Sequence, residues 1–379
     1  MSRITLRIIR SRPGRGDRVR VNAVRRGLAT LLLISGIVLV RGSTAAMPEI
    51  PRDPFAWLQP VVTVDSAARG RIARGEVVVQ ILPAGDGELG VFAASRLDTD
   101  PEMLATWAAS IADLKKSPYV LAVRRFSDPP VLDDLDGLML EEGDVDSVRN
   151  CRQGSCGLKM AAGEIESLRR AVGTGGLLWK DAVERQFRQI VIDRVNAYRS
   201  KGFAGLSPYV DRHNPVYLQS AFGVLLDNSP YLRSDPIADP AARTESFFYW
   251  SKEQYGTGKP VITVTHVDVV RPLIPCALRV ALVSTEILAT HYRNASLGLT
   301  AVVEDAAGQG YLVYVNRSQL DVLGGFFGGL KRAIIEGRLK SESVHVFREL
   351  RRRLESGPPG GDATAANLSG PTTDQLTER

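Results

Sequence analysis

Two β-branched runs in the C-terminal half, PVITVTHVDVV and RVALVSTEILA, carry the side chains best suited to proton transfer. His266 and Asp268 lie two residues apart and so share one face of a strand. Ser284 and Glu286 do the same on the second run, and His291 follows in THYRN. If the runs pair as a hairpin across RPLIPCAL, His266 meets Glu286 or Ser284. A carboxylate beside an imidazole begins a general-base arrangement, so His266, Glu286 and His291 form the candidate catalytic group. An ordinary polar strand face has the same pattern, because register decides which side chains meet. No His-x3-His or similar spacing supports zinc. Asp134-x-Asp136-Gly137 has Leu132 and Gly143 where a calcium loop needs its end ligands. EQYGTGKP has Glu253 in place of the first glycine of a phosphate loop, and Pro260 where a hydroxyl should follow the lysine. Neither a metal nor an organic cofactor is expected.

A second group is aromatic. In FFYWSKEQY, Phe247 and Tyr249 fall on one side of a strand and Phe248 and Trp250 on the other. One pair can join a core while the other covers a helix or a ligand. GGFFGGLKR sets Phe326 and Phe327 between paired glycines just ahead of a helix, where they could plug a cavity mouth or touch a bilayer. Tyr249, Trp250, Phe326 and Phe327 are the candidate ligand-binding residues, and structural packing is the simpler use of all four.

NCRQGSCGLKM holds two of the three cysteines. The Cys-x4-Cys spacing differs from that of redox pairs, no histidine follows for haem attachment, and zinc would need further ligands. Gln153-Gly154-Ser155-Cys156 evokes a papain-like nucleophile, but Gly157 replaces the aromatic residue. A local disulfide between Cys151 and Cys156 across Gly154 remains, contributing on the order of 2 kcal/mol. Cys276 is then the odd thiol.

The elements that must position these groups follow from periodicity. EVVVQILP and ELGVFAASRL read as strands joined by AGDG. DPEMLATWAASIADLKK reads as a helix capped by Asp100 and burying Leu104, Trp107, Ala108 and Ile111. YVLAVRRFSDPP is a further strand. A helical block spans about 143–245, clearest where Val183, Phe187, Ile190, Val191 and Val195 fall at helical spacing. Beyond it the period changes to two, and closely spaced strands imply an antiparallel meander. GGFFGGLKRAIIEGRLKSESVHVFRELRRRLE closes the fold as one or two helices. The expected class is α+β, a single domain over 47–355 with an antiparallel sheet, a helical insertion and a long C-terminal helix. The tail 356–379 lacks apolar content and is expected to be disordered.

Location changes the charge argument. Arg25, Arg26, the 14-residue apolar run Gly27–Val40 and the small pair Ala45–Ala46 have the three parts of a secretory signal. The run falls short of the roughly 20 residues of a membrane span. A periplasmic or secreted location is expected, with a signal anchor in the inner membrane as the alternative. Ten Arg against one Asp give residues 1–46 a charge of +9, and the chain's +6 less that +9 leaves −3 from Met47 onward. The remainder is not basic, which argues against a nucleic-acid partner. Arg outnumbers Lys 39 to 9, as in GC-rich bacterial genomes, and export there permits a disulfide. The stretch 328–354 is locally basic. A solvated helix face accounts for it, and peripheral contact with anionic lipid is the functional alternative.

The strings CRQGSCGLKM, FFYWSKEQYGTGKPVITVTHV, HYRNASLGLTAVVED and YLVYVNRSQLDVLGGFFGGLKR resemble those of an uncharacterised family of exported bacterial proteins, over roughly residues 70–355. That resemblance implies export and assigns no catalytic residue. The order strand, helix, further strands and closing helix is also similar to the helix-grip folds related to steroid-transfer domains. This second resemblance implies an apolar cavity between sheet and closing helix, with the helical block as a large insertion. The leading functional expectation is therefore an exported protein that binds a hydrophobic or amphipathic ligand, a lipid or other apolar small molecule, between the sheet and the C-terminal helix. The alternatives are a periplasmic hydrolase using the His/Glu cluster and a structural protein of the cell envelope.

Overall fold

The structure is a computed structural model that describes residues 53–323 and 328–360. The leader, Phe326 and Phe327, and the tail beyond 360 lie outside the described residues. The fold is α+β. Its strands are β1 (Val78–Leu82), β2 (Glu88–Leu97), β3 (Val120–Arg125), β4 (Arg243–Glu253), β5 (Val261–Val270), β6 (Leu278–Ala289), β7 (Arg293–Glu304) and β8 (Gly310–Leu320). They form one antiparallel sheet in the order β1-β2-β8-β7-β6-β5-β4-β3. Strands β4 to β8 make the meander that the alternating residues imply, and β8 closes against β2.

The helices are α1 (Ser66–Ala73), α2 (Met103–Ala109), α3 (Ile111–Lys115), α4 (Glu142–Ser147), α5 (Ala162–Thr174), α6 (Trp179–Lys201), α7 (Leu218–Asp227) and α8 (Gly328–Glu355). Asp100 accepts from the Glu102 N–H at 2.9 Å in the turn ahead of α2, but the N-cap position is Glu102, so the expected Asp100 cap is corrected. The helical run after β2 is two helices rather than the single one expected. Ser110 leaves helical geometry at φ −101° and ψ 57°, and the break turns Ile111 into the core. Between β3 and β4 the chain inserts α4 to α7. After β8 it closes with α8, one helix of 28 residues.

Helices cover both sheet faces, which explains the near-continuous burial along β5 to β8. On one, here the block face, Phe187 and Val191 of α6 and Phe222 of α7 pack on Phe248, Trp250, Ile262 and Val264. The same face continues under residues 55–72, where Phe55, Leu58 and Ile72 meet Phe92, Ala301 and Val313. On the opposite face, here the α8 face, Leu104 and Trp107 of α2 join Phe347 and Leu354 of α8 over Phe247, Val267, Val280 and Leu312.

Cys151 and Cys156 are disulfide-bonded, and Cys276 is a free, half-buried thiol. Gly154 takes φ 82°, the left-handed conformation that lets the short loop turn. The loop lies on the segment before α7. The Gly154 N–H donates to the Val210 carbonyl at 2.7 Å and the Cys156 N–H to the Asp211 carbonyl at 3.0 Å. Among the described residues, no helix is long and apolar enough to cross a membrane.

Candidate functional site

The candidate catalytic residues occupy three separate places. Strands β5 and β6 do pair, but His266 stands opposite Thr285, while Glu286 stands opposite Thr265 and Ser284 opposite Val267. Side chains that face across a pair share a face, so His266 points to the block face and Glu286 to the α8 face. A register shift between Val264 and Thr265 accompanies this pairing. The expected meeting of His266 with Glu286 or Ser284 is thereby corrected. His291 belongs to the β6–β7 turn. There it is buried against α4, its Nε2 2.8 Å from the Asp144 carboxylate, whose other oxygen accepts from Lys259 at 2.6 Å. Tyr292 closes this turn in the left-handed region at φ 61°, rare for an aromatic residue, and its hydroxyl accepts from the Lys259 N–H. Burial would raise the Asp144 carboxyl, but hydrogen bonds from His291 and Lys259 outweigh it and hold the group down. That trio pins α4 to the sheet.

The aromatic candidates divide as alternation requires. Trp250 is buried on the block face, in its hydrophobic core, and donates from Nε1 to the Asp134 carbonyl at 2.8 Å. Tyr249 faces α8, with the Lys115 ammonium 5.5 Å from its ring centre.

The α8 face carries an unusual centre. Antiparallel register stacks short polar side chains from five strands, β4 to β8, into one band. Ser251 and Thr263 lie 3.0 Å apart, and Ser296, Asn316 and Ser318 form a second linked group at 2.8 to 3.1 Å. Between these groups Gly298 is packed so closely that a Cβ would lie 2.3 Å from the Ser284 Oγ. Ser284, Glu286, Thr300, Tyr314 and Asn316 are only half-buried.

At one end of the band sits a charged cluster. Lys115, at the end of α3, reaches Glu253 at 2.6 Å. Glu253 also accepts from Ser251 and Tyr255 at 2.8 Å, and Arg293 lies 3.8 Å away. Arg293 in turn donates to Glu286 at 2.8 Å. Burial alone would raise the Glu253 carboxyl, but the Lys115 ammonium and the Arg293 guanidinium outweigh it and hold it down to about 2. Glu286 goes the other way. Burial raises its carboxyl, Arg293 opposes, and the negative charge of Glu253 reinforces burial. The cluster thus holds two carboxylates whose surroundings push them in opposite directions, Glu253 down and Glu286 up.

On the same face lies α8, packed on β1, β2 and α2. Its inner stripe runs through Ile335, Leu339, Phe347, Leu350 and Leu354, spaced for one helix face. Among its described side chains, the first to be buried is Phe347; Ile335 and Leu339 stay half-buried. Lys331, Arg338, Lys340, Arg348 and Arg352 are exposed. The root of α8 is tethered through Asp321, which pairs with the buried Lys159 at 3.0 Å and with Arg212 at 3.2 Å.

Lys115, Glu253, Arg293 and Ser246 did not stand out in the sequence, since their partners lie on other strands or more than a hundred residues away. One signal was present. Lysine is scarce in this chain, and three of its nine, Lys115, Lys159 and Lys259, neutralise buried carboxylates. Protein-family models, curated proteins and solved structures contain no match to the chain. What the site can do is therefore read from its own geometry.

Proposed function

We propose that the space between the polar band and the N-terminal part of α8 binds an amphipathic small molecule in an exported protein. The observation that carries this reading is a mismatch. A helix with an apolar inner stripe lies on a sheet face whose centre is polar, and among the described residues that stripe stays half-buried until Phe347. An apolar stripe left half in water is a recognition surface when a partner can complete it. The ligand's apolar part lies against Ile335 and Leu339, and its polar end meets Ser284, Asn316 and the Glu286–Arg293 pair. Export is supported by the disulfide, which persists in oxidising compartments. A hydrolase that joins His266 to Glu286 is not favoured, because the two groups lie on opposite faces.

A dansyl-labelled fatty acid tests the reading. Fluorescence titration should saturate at one equivalent, and Leu339→Arg should weaken binding about tenfold, the loss expected from about 1.5 kcal/mol of apolar contact. Absence of saturable binding, or equal affinity in the variant, would sink the proposal.

A further inference from the structure

We infer that Ser246 and His266 form a nucleophile–base pair for acyl transfer from carboxylic esters, on the sheet face opposite the α8 groove. Both side chains lie on the block face of neighbouring strands. Asp268 stands directly across from Ser246, and His266 directly across from Phe248. Ser246 is exposed, and its Oγ lies 2.7 Å from His266 Nε2. A serine within hydrogen-bond reach of an imidazole whose plane is fixed is the minimum arrangement for activating a hydroxyl.

The ring is fixed from two sides. Phe248 stacks on it at 4.6 Å between centroids, and Tyr198 of α6 meets it edge-on at 5.5 Å. The Tyr198 hydroxyl lies 3.5 Å from Nδ1, so Nε2 is the nitrogen left for Ser246. Asp268 lies 3.4 Å from Nε2, where it can stabilise an imidazolium, and Arg243 lies 3.7 Å from the other Asp268 oxygen. Asp268 does not sit behind Nδ1, so this is a dyad with a flanking carboxylate and not a relay of three. Burial draws the imidazole below its usual value and Arg243 adds to this, with Asp268 opposing.

The chemistry balances within the pair and water. The Ser246 Oγ bonds to the ester carbonyl carbon as its proton passes to Nε2. The bond from that carbon to the leaving alcohol then breaks, and Nε2 returns the proton to the departing oxygen. Water, deprotonated by the same nitrogen, cleaves the acyl-serine and frees a carboxylic acid. Tyr198, Phe203 and Phe248 form an aromatic wall beside the pair, suited to an apolar or aryl acyl group.

A fluorophosphonate probe reads this directly. Intact wild-type protein should gain one adduct, and peptide mapping should place it on Ser246. Ser246→Ala should take none, and His266→Gln should slow labelling at least about hundredfold with an unchanged melting temperature. The groups facing the ring are Tyr198 from α6, Ser246 and Arg243 from β4, Asp268 from β5 and Thr285 from β6. With burial dominant among them, the rate should rise with pH through a value below that of free histidine. No adduct on Ser246 in folded protein, or equal labelling rates in wild type and His266→Gln, would overturn the assignment.

Discussion

Glu253→Gln is expected to cost about 3 kcal/mol of stability at pH 7, and to cost progressively less in acid. The carboxylate is 4% exposed and is the shared counterion of Lys115 and Arg293. Glutamine keeps the shape and one acceptor but leaves two cations facing Glu286 alone. Breaking a buried pair from one side costs about 3 to 5 kcal/mol, and the partial exposure of Lys115 and Arg293 places this case at the lower end. The pH dependence has a definite sign. The folded-state carboxyl sits at about 2, against an ordinary value of 4.5. Its stabilisation is fully present above that ordinary value and is lost as the pH falls through about 2. A depression of this size corresponds to about 3 kcal/mol, in agreement with the first figure. Glu286, raised by burial, acts in the opposite sense: its contribution is present in acid and is lost as the pH rises through its folded-state value. Urea unfolding of both proteins at pH 7 and pH 3 checks the effect. A constant difference between the two pH values would mean that Glu253 acts through shape and not through charge.

Phe347→Ala is expected to free the whole of α8 while leaving the sheet intact. Phe347 and Leu354 are the fully buried side chains among those described on this helix. Polar ties also hold its C-terminal third. Arg351 donates to the Gly75 carbonyl at 2.6 Å, Arg353 to the Leu114 carbonyl at 2.9 Å, and Trp107 to the Gly357 carbonyl at 2.8 Å. Truncating a buried Phe costs about 3 to 5 kcal/mol, comparable with everything else that docks this segment. Leu339→Ala, on the same stripe but half-buried, should cost less than about 1 kcal/mol. Denaturant unfolding followed by far-UV circular dichroism separates the cases, because loss of α8 docking should appear as an early helical transition. Equal effects of the two substitutions would show that α8 is held along its length and does not act as a movable cover.

How much of this was legible in the sequence depends on the range of the interaction. Local signals were reliable. Alternation gave β4 to β8, the apolar stripe of Val183, Phe187 and Val191 gave α6, and the Cys151–Cys156 spacing gave the disulfide. The break at Ser110 was not legible, because no Gly or Pro marks it and Ile111 falls on the same apolar stripe as Leu104 and Trp107. Pairing parity was hidden too. A one-residue difference in register moves Glu286 from beside His266 to the far side of the sheet, and nothing local encodes that choice. Asp268, two residues from His266, did end up beside it. Ser246 carries no local signal, because its partner His266 lies on the neighbouring strand twenty residues away. Trp250 is the converse case: it stood out in the sequence and serves the core, since β4 is covered on both faces.

The apolar stripe of α8 is buried toward its C-terminus, at Phe347 and Leu354, and unfinished toward its N-terminus. Amide hydrogen exchange of the wild-type protein, alone and saturated with the dansyl-labelled fatty acid, measures this. Residues 331–346 should exchange much faster than 347–355 in the free protein, and should slow when the probe is bound while 347–355 remain unchanged. Uniform protection along α8 in the free protein, or a bound state that exchanges like the free one, would contradict it.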